Sequence, residues 1–159
     1  MMLQPELLHI LARTELFTDG KVYVMMKISA AQAELIAQEL GKWPSPFWAC
    51  MCDKDEVSLV LAQDVFHQLL LSVSPLDVSP PYRLITLDIS LNWGVVGYLA
   101  AVTAVLADVG ISLFALAAFS RDHLFVPQAD FDRAWDVLGT FLYTCRQEVA
   151  DFELDGESV

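Results

Sequence analysis

A chain of 159 residues is long enough for one mid-sized domain or two small ones sharing a core. Apolar residues make up 55% of it and charged ones 19%, a surplus that points to apolar surface buried against another subunit, with an unusually large core as the alternative. The net charge of −12, with basic residues scattered from Arg13 to Arg146, speaks against nucleic acid, whose phosphates would be repelled.

No stretch has the roughly 18–20 uninterrupted apolar residues of a membrane-spanning helix. The nearest, Trp93 to Leu106, runs into Asp108 and Gly110. Met1–Glu6 lacks a basic flank and carries Pro5 and Glu6, so it does not resemble an export signal. A soluble, cytoplasmic protein is expected. Cys50, Cys52 and Cys145 have no disulfide-framework spacing. Cys50 and Cys52 lie two apart in a strand-like run, which turns both to one side. Zinc sites use longer spacings with further ligands nearby, so these residues are expected to be small hydrophobes of a core, and no metal or cofactor is expected.

Along the chain, an apolar segment (Leu7–Phe17) ends at a turn at Asp19-Gly20. Lys21–Ile28 alternates as a strand. Ser29 with Gln32 three positions on predicts a capping box for a helix over Ala30–Leu40, closed by Gly41 in a left-handed conformation. Phe47–Asp53 and Glu56–Ala62 are strand-like runs around the turn at Lys54-Asp55, and Gln63–Leu71 is a short helix. Pro75, Pro80 and Pro81 mark Ser72–Pro81 as a linker.

The order then recurs. Tyr82–Leu91 is a strand, and Val95–Val109 a helix with Val95, Leu99, Val102, Leu106 and Val109 on its core face. Gly110 closes that helix. Ile111–Phe119 and His123–Val126 are strands about a turn at Ser120-Arg121-Asp122. Asp130 opens a helix with Phe131, Ala134, Trp135, Leu138 and Leu142 on one face. Val149–Leu154 alternates weakly as an edge strand, and Asp155–Val159 has the makings of a disordered tail. The expected fold is α+β, two tandem ferredoxin-like βαββα modules with antiparallel sheets, one over residues 1–74 and the other over 82–154.

The run GYLAAVTAVLADVGISLFALAAFSRDHLFVP (Gly97–Pro127) resembles the ACT domain family, in which a glycine opens the first helix and a GIS or GVS triplet leads into the second strand. Phe119, Asp122, His123, Val126 and Pro127 are similar to an F-x-x-D-H-x-x-V-P run in arginine-sensing ACT repeats, and small tandem-ACT bacterial proteins look similar too. The resemblance implies a regulatory domain rather than an enzyme. It would bind a small molecule, often an amino acid, at an interface between paired ACT units, and a homodimer is the favoured assembly.

The residues of the strand-to-helix junction suit such a ligand. Asn92-Trp93-Gly94-Val95-Val96-Gly97 leads into Tyr98, with Asn92 a good N-cap and two glycines allowing close approach to the backbone. Unsatisfied first-turn amides favour an anionic group such as an α-carboxylate, although a cap and a plain turn explain the same residues. By resemblance Asp122 holds a ligand's cationic end; a turn aspartate bonding its own backbone is the alternative. Phe119 completes the candidate set. Where the arginine-sensing repeats carry an acid, this chain has Val95, which turns the expectation toward a neutral or apolar amino acid or a small organic acid. Burial is the expected fate of Trp93. A structural ACT-like dimer without ligand is a further reading. So is a small hydrolase using Asp122 and His123, but neighbours in a strand point to opposite faces. His9 and His67 lie in no motif, and no nucleophile elbow, P-loop, HExxH or dinucleotide fingerprint occurs.

Overall fold

The computed structural model of the chain describes residues 4–42 and 47–156. Two compact units emerge, one of residues 20–83 and one joining residues up to 19 with those from 84 onward.

In the 20–83 unit the elements run β2 (Val22–Ile28), α2 (Ala33–Leu40), β3 (Trp48–Cys52), β4 (Val57–Ala62), α3 (Gln63–Leu69) and β5 (Asp77–Val78). Strands pair antiparallel in the order β3-β4-β2-β5, the ferredoxin-like arrangement. Register sets Val24, Met26 and Ile28 opposite Leu61, Leu59 and Val57. All six are buried, as are Ile36 and Leu40 of α2 and Val65, Phe66 and Leu69 of α3. The turn before β4 is fastened by Asp53, whose Oδ1 accepts from the amides of Asp55 (2.7 Å) and Glu56 (2.9 Å). Those bonds hold its carboxyl below the usual carboxylate range.

Three expectations change here. The Ser29–Gln32 capping box does not form: Ala30–Gln32 is a 3-10 turn, and the Ser29 side chain makes no cap bond. Gly41 keeps a right-handed φ of −60°. The proline-marked linker contains β5, because the amides between Pro75 and Pro80 remain available for pairing. Leu76 donates to the Lys27 carbonyl (2.7 Å) and Ser79 to that of Met25 (2.8 Å).

The other unit consists of α1 (Pro5–Ala12), β1 (Glu15–Phe17), β6 (Tyr82–Asp88), α4 (Tyr98–Asp108), β7 (Phe114–Ala117), β8 (Asp122–Pro127) and α5 (Phe131–Gly156). The sheet order is β1-β6-β8-β7. Its first three strands in chain order are β6, β7 and β8, and the fourth position is filled from the chain's other end by β1. Glu15, Leu16 and Phe17 pair antiparallel with Asp88, Leu87 and Thr86. The expected βαββα order is therefore present, but the N-terminal segment completes this unit and not the one that follows it in sequence.

Helical spacing on α5 brings Phe131, Ala134, Leu138, Leu142 and Cys145 into one buried face. They meet Leu7, Leu8 and Leu11 of α1, Val102 and Leu106 of α4, Ile85 and Leu87 of β6, and Leu124 and Val126 of β8. Val149 extends the helical series and packs on the same core, so Val149–Leu154 is helix and not an edge strand. Residues 157–159 of the expected tail lie outside the described residues. Gly110, at φ +73°, closes α4 as expected. Among the described residues no helix is long and apolar enough to cross a membrane.

Arg146 of α5 secures the α1–β1 corner. Its Nε donates to the Ala12 carbonyl (3.0 Å) and Nη2 to the Thr14 carbonyl (2.8 Å), with Glu15 Oε1 at 3.2 Å. Arg146→Met keeps most of the packing and removes these bonds. Urea unfolding should show a loss of about 1–3 kcal/mol, whereas Glu15→Gln should cost under about 1 kcal/mol, because that contact is exposed.

Candidate functional site

The segment between β6 and α4 is an irregular loop tied at its base to the β7–β8 turn, since the Leu91 amide donates to the Ser120 carbonyl (2.9 Å). Val95 N–H donates to the Asn92 carbonyl (3.1 Å), closing a turn around Trp93 and Gly94. Asn92 is not the helix cap. Gly97 is, and α4 begins at Tyr98 instead of Val95. Gly97 has φ +85°, a left-handed value that interrupts the helical path just ahead of Tyr98. A Cβ there would meet Leu7 Cδ2 of α1 at 3.4 Å, so the loop and α1 approach closely at this point.

Trp93 is 82% exposed and Phe119 81%; the rings meet edge to face, with centroids 5.4 Å apart at 78°. The burial expected for Trp93 does not occur: the turn carries it outward onto Phe119 instead of into the core. Val96, 85% exposed, adds a third large apolar side chain on the same loop.

Tyr98 points inward and is buried. Thr14 Oγ1 lies 3.0 Å from the Ile10 carbonyl and 3.0 Å from the Tyr98 hydroxyl, with which it shares a hydrogen bond. Burial pushes the phenol up to about 12; the Thr14 bond opposes the shift and the Asp122 charge adds to it. Asp122, the first residue of β8 and half-buried, has its carboxyl raised by burial, against an opposing pull from His123. His123 lies on the other side of the strand. Its Nδ1 is 3.0 Å from Thr86 Oγ1, and burial lowers its pKa, aided by Arg121 and opposed by Asp122. Asp122 and His123 thus do not converge on one cleft, and the geometry brings no acid–base pair together there.

A small cleft of about 160 Å³ opens beside Gly94, Val95 and Val96, walled on its far side by Gln4, Glu6, Leu7 and Ile10 of the N-terminal segment. Gln4 and Glu6 were not legible as site residues. They lie some ninety positions from the loop, and only the apolar spacing of Leu7, Leu8 and Leu11 signalled that α1 packs against anything. Of the expected site residues, the structure brings Trp93 onto Phe119, places Gly94, Val95 and Val96 on the cleft, and sets Asp122 close enough to Tyr98 for its charge to be felt there.

Residues 77–139 match the family profile of the ACT domain. The matched stretch runs from β5 to the first part of α5 and is similar to an ACT domain over those residues. A protein of unknown function from Vibrio cholerae, described as a possible transport protein, is similar at 26% identity and a TM-score of 0.67, over 86% of this chain and 96% of that one. A protein from Agrobacterium tumefaciens matches at 24% identity and 0.63, over 80% and 88%. The ligand-free regulatory subunit of aspartate kinase from Thermus thermophilus shares the fold at 10% identity and 0.59, over 80% and 97%. No curated protein sequence matches the chain.

The Tyr98 environment makes a direct prediction. Its folded value lies above the usual tyrosine value of 10, so its contribution to stability is fully present below about pH 10 and is lost as the pH rises through about 12. An ultraviolet titration should show a tyrosine ionising near 12 that is missing in Tyr98→Phe. The alkaline fall in melting temperature between those values should be shallower in the variant.

Proposed function

We propose that this protein is a regulatory small-molecule binder of the ACT type, soluble and cytoplasmic, without catalytic activity of its own. We read residues 1–74 and 82–154 as its two ACT-like halves, with β1 contributed across that boundary. Its ligand is an amino acid or a molecule of similar size and charge, held against Asn92–Tyr98, Phe119 and Asp122 at an interface between ACT units, and the working assembly is a homodimer. The observation that carries the reading is the loop ending in left-handed Gly97 ahead of an 11-residue helix, with the half-buried carboxylate of Asp122 beside that helix's first residue.

The amides of the first turn of α4 have no partner within the helix and suit an α-carboxylate. Asp122 suits the ammonium. Val95 leaves the loop without the acid of the arginine-sensing repeats, but Glu6 of α1 lines the same cleft and returns a carboxylate to it. A cationic side chain is thereby readmitted beside the neutral and apolar ones. The regulatory fold shared with the aspartate kinase subunit supports the same reading. The exposed Trp93, Val96 and Phe119 favour a second subunit covering the loop.

Thermal shift against the twenty amino acids identifies the ligand; at about 100 times its dissociation constant it should add about 2.7 kcal/mol. Asp122→Asn should weaken that ligand about tenfold or more by calorimetry. The same variant should be more stable than the parent at neutral pH. A carboxyl raised on folding contributes most below its unfolded value and loses that contribution as the pH climbs through the folded one. No shift with any amino acid, together with unchanged sedimentation on dilution, would leave the proposal without support.

A further inference from the structure

The cysteines of β3 are not in the core, as their spacing led one to expect. Cys50 and Cys52 are both exposed, whereas Cys145 is buried. β3 is an edge strand of its sheet, and Cys50 and Cys52 stand opposite Leu59 and Val57, so both thiols project from the same face. The two are in contact. Burial raises the Cys50 thiol first, and the charge of Cys52 and the hydrogen bond that the Cys50 thiol donates to Cys52 raise it further.

Two adjacent exposed thiols admit three chemistries, and the geometry separates them. A disulfide is poorly accommodated, because same-face neighbours in a strand lie about 6.6 Å apart at Cα, at the long end of the roughly 4.4–6.8 Å that a bridge spans. A structural zinc site needs four ligands, and among the described residues no group of three or more His, Cys, Asp or Glu is placed to hold a metal. What remains is two sulfurs side by side, the donor set of a soft ion content with two thiolates.

We propose that Cys50 and Cys52 form a two-thiolate site for a soft monovalent ion of the copper(I) class. On binding, both S–H bonds break and two metal–sulfur bonds form. Two protons pass to solvent and no electrons are transferred, so no oxidant or reductant is required. The inference stands apart from the ligand reading of the loop after β6, in which neither cysteine takes part.

The test is anaerobic titration of the full chain with Cu(I) held by a chromogenic chelator. The expected result is one ion per chain with two protons released. Cys50→Ser and Cys52→Ser should each lower affinity by more than the roughly 100-fold that losing an outer-shell partner costs, while Cys145→Ala leaves it unchanged. Because both residues are exposed, melting curves of the serine variants should overlay the parent, which separates lost binding from lost fold. Undiminished binding in either serine variant would overturn the site. So would a reduced parent that extracts no Cu(I) from the chelator, or one that closes a Cys50–Cys52 disulfide, two hydrogens lighter, on exposure to oxidised glutathione.

Discussion

Three residues of β1 lie against the far end of β6, and this pairing brings the two ends of the chain into one unit. Its consequences reach the candidate site through the helix that precedes it. With β1 in place, Leu7 of α1 comes to Gly97, Thr14 meets the phenol of Tyr98, and Gln4 and Glu6 become a wall of the cleft beside the loop. Arg146 pins the corner from α5 by bonding the carbonyls of Ala12 and Thr14. Residues 18–81 intervene between β1 and β6, yet loop-closure entropy grows only logarithmically with length, so the intervening stretch adds little to the cost of pairing.

This arrangement explains where the order of the chain misleads. Strand and helix periodicity is local, and it located both βαββα series, the Gly110 helix stop and the core stripe of α5. Register and strand order depend on contacts that periodicity does not carry, so the membership of β1 could not be read from position. Boundaries failed where a backbone detail overrode pattern. Gly97 delayed α4 by three residues, the amides between prolines made β5 from a linker, and the alternation at Val149–Leu154 was a coincidence within a longer helical period. The site was legible on its loop side through glycines and family-like residues, and illegible on its α1 side.

The cysteines and Trp93 share one cause for being misjudged. Residue type predicts burial only when an element has a neighbour on the relevant side. Among the described residues β3 has none beyond it in its sheet, and the loop after β6 carries a turn pointed away from the core. An apolar or sulfur-bearing side chain at such a place remains accessible. In a chain with 55% apolar residues and a charge of −12, repulsion between copies opposes indiscriminate association, so exposed aromatic surface can be kept where it has a use.

Asp122 shows the same tension in energetic form. A carboxylate half-withdrawn from water beside a buried phenol is destabilised in its charged state, and the Tyr98 environment is made less tolerant of charge by its presence. An asparagine of the same shape would relieve both. Local consistency among propensity, packing and charge is what specifies a fold, and departures from it gather where function asks for something the fold does not. The neighbouring first turn of α4 offers donors for an anion, and Asp122 offers a charge for a cation. In the proposed reading, a zwitterion bound there would satisfy the two together.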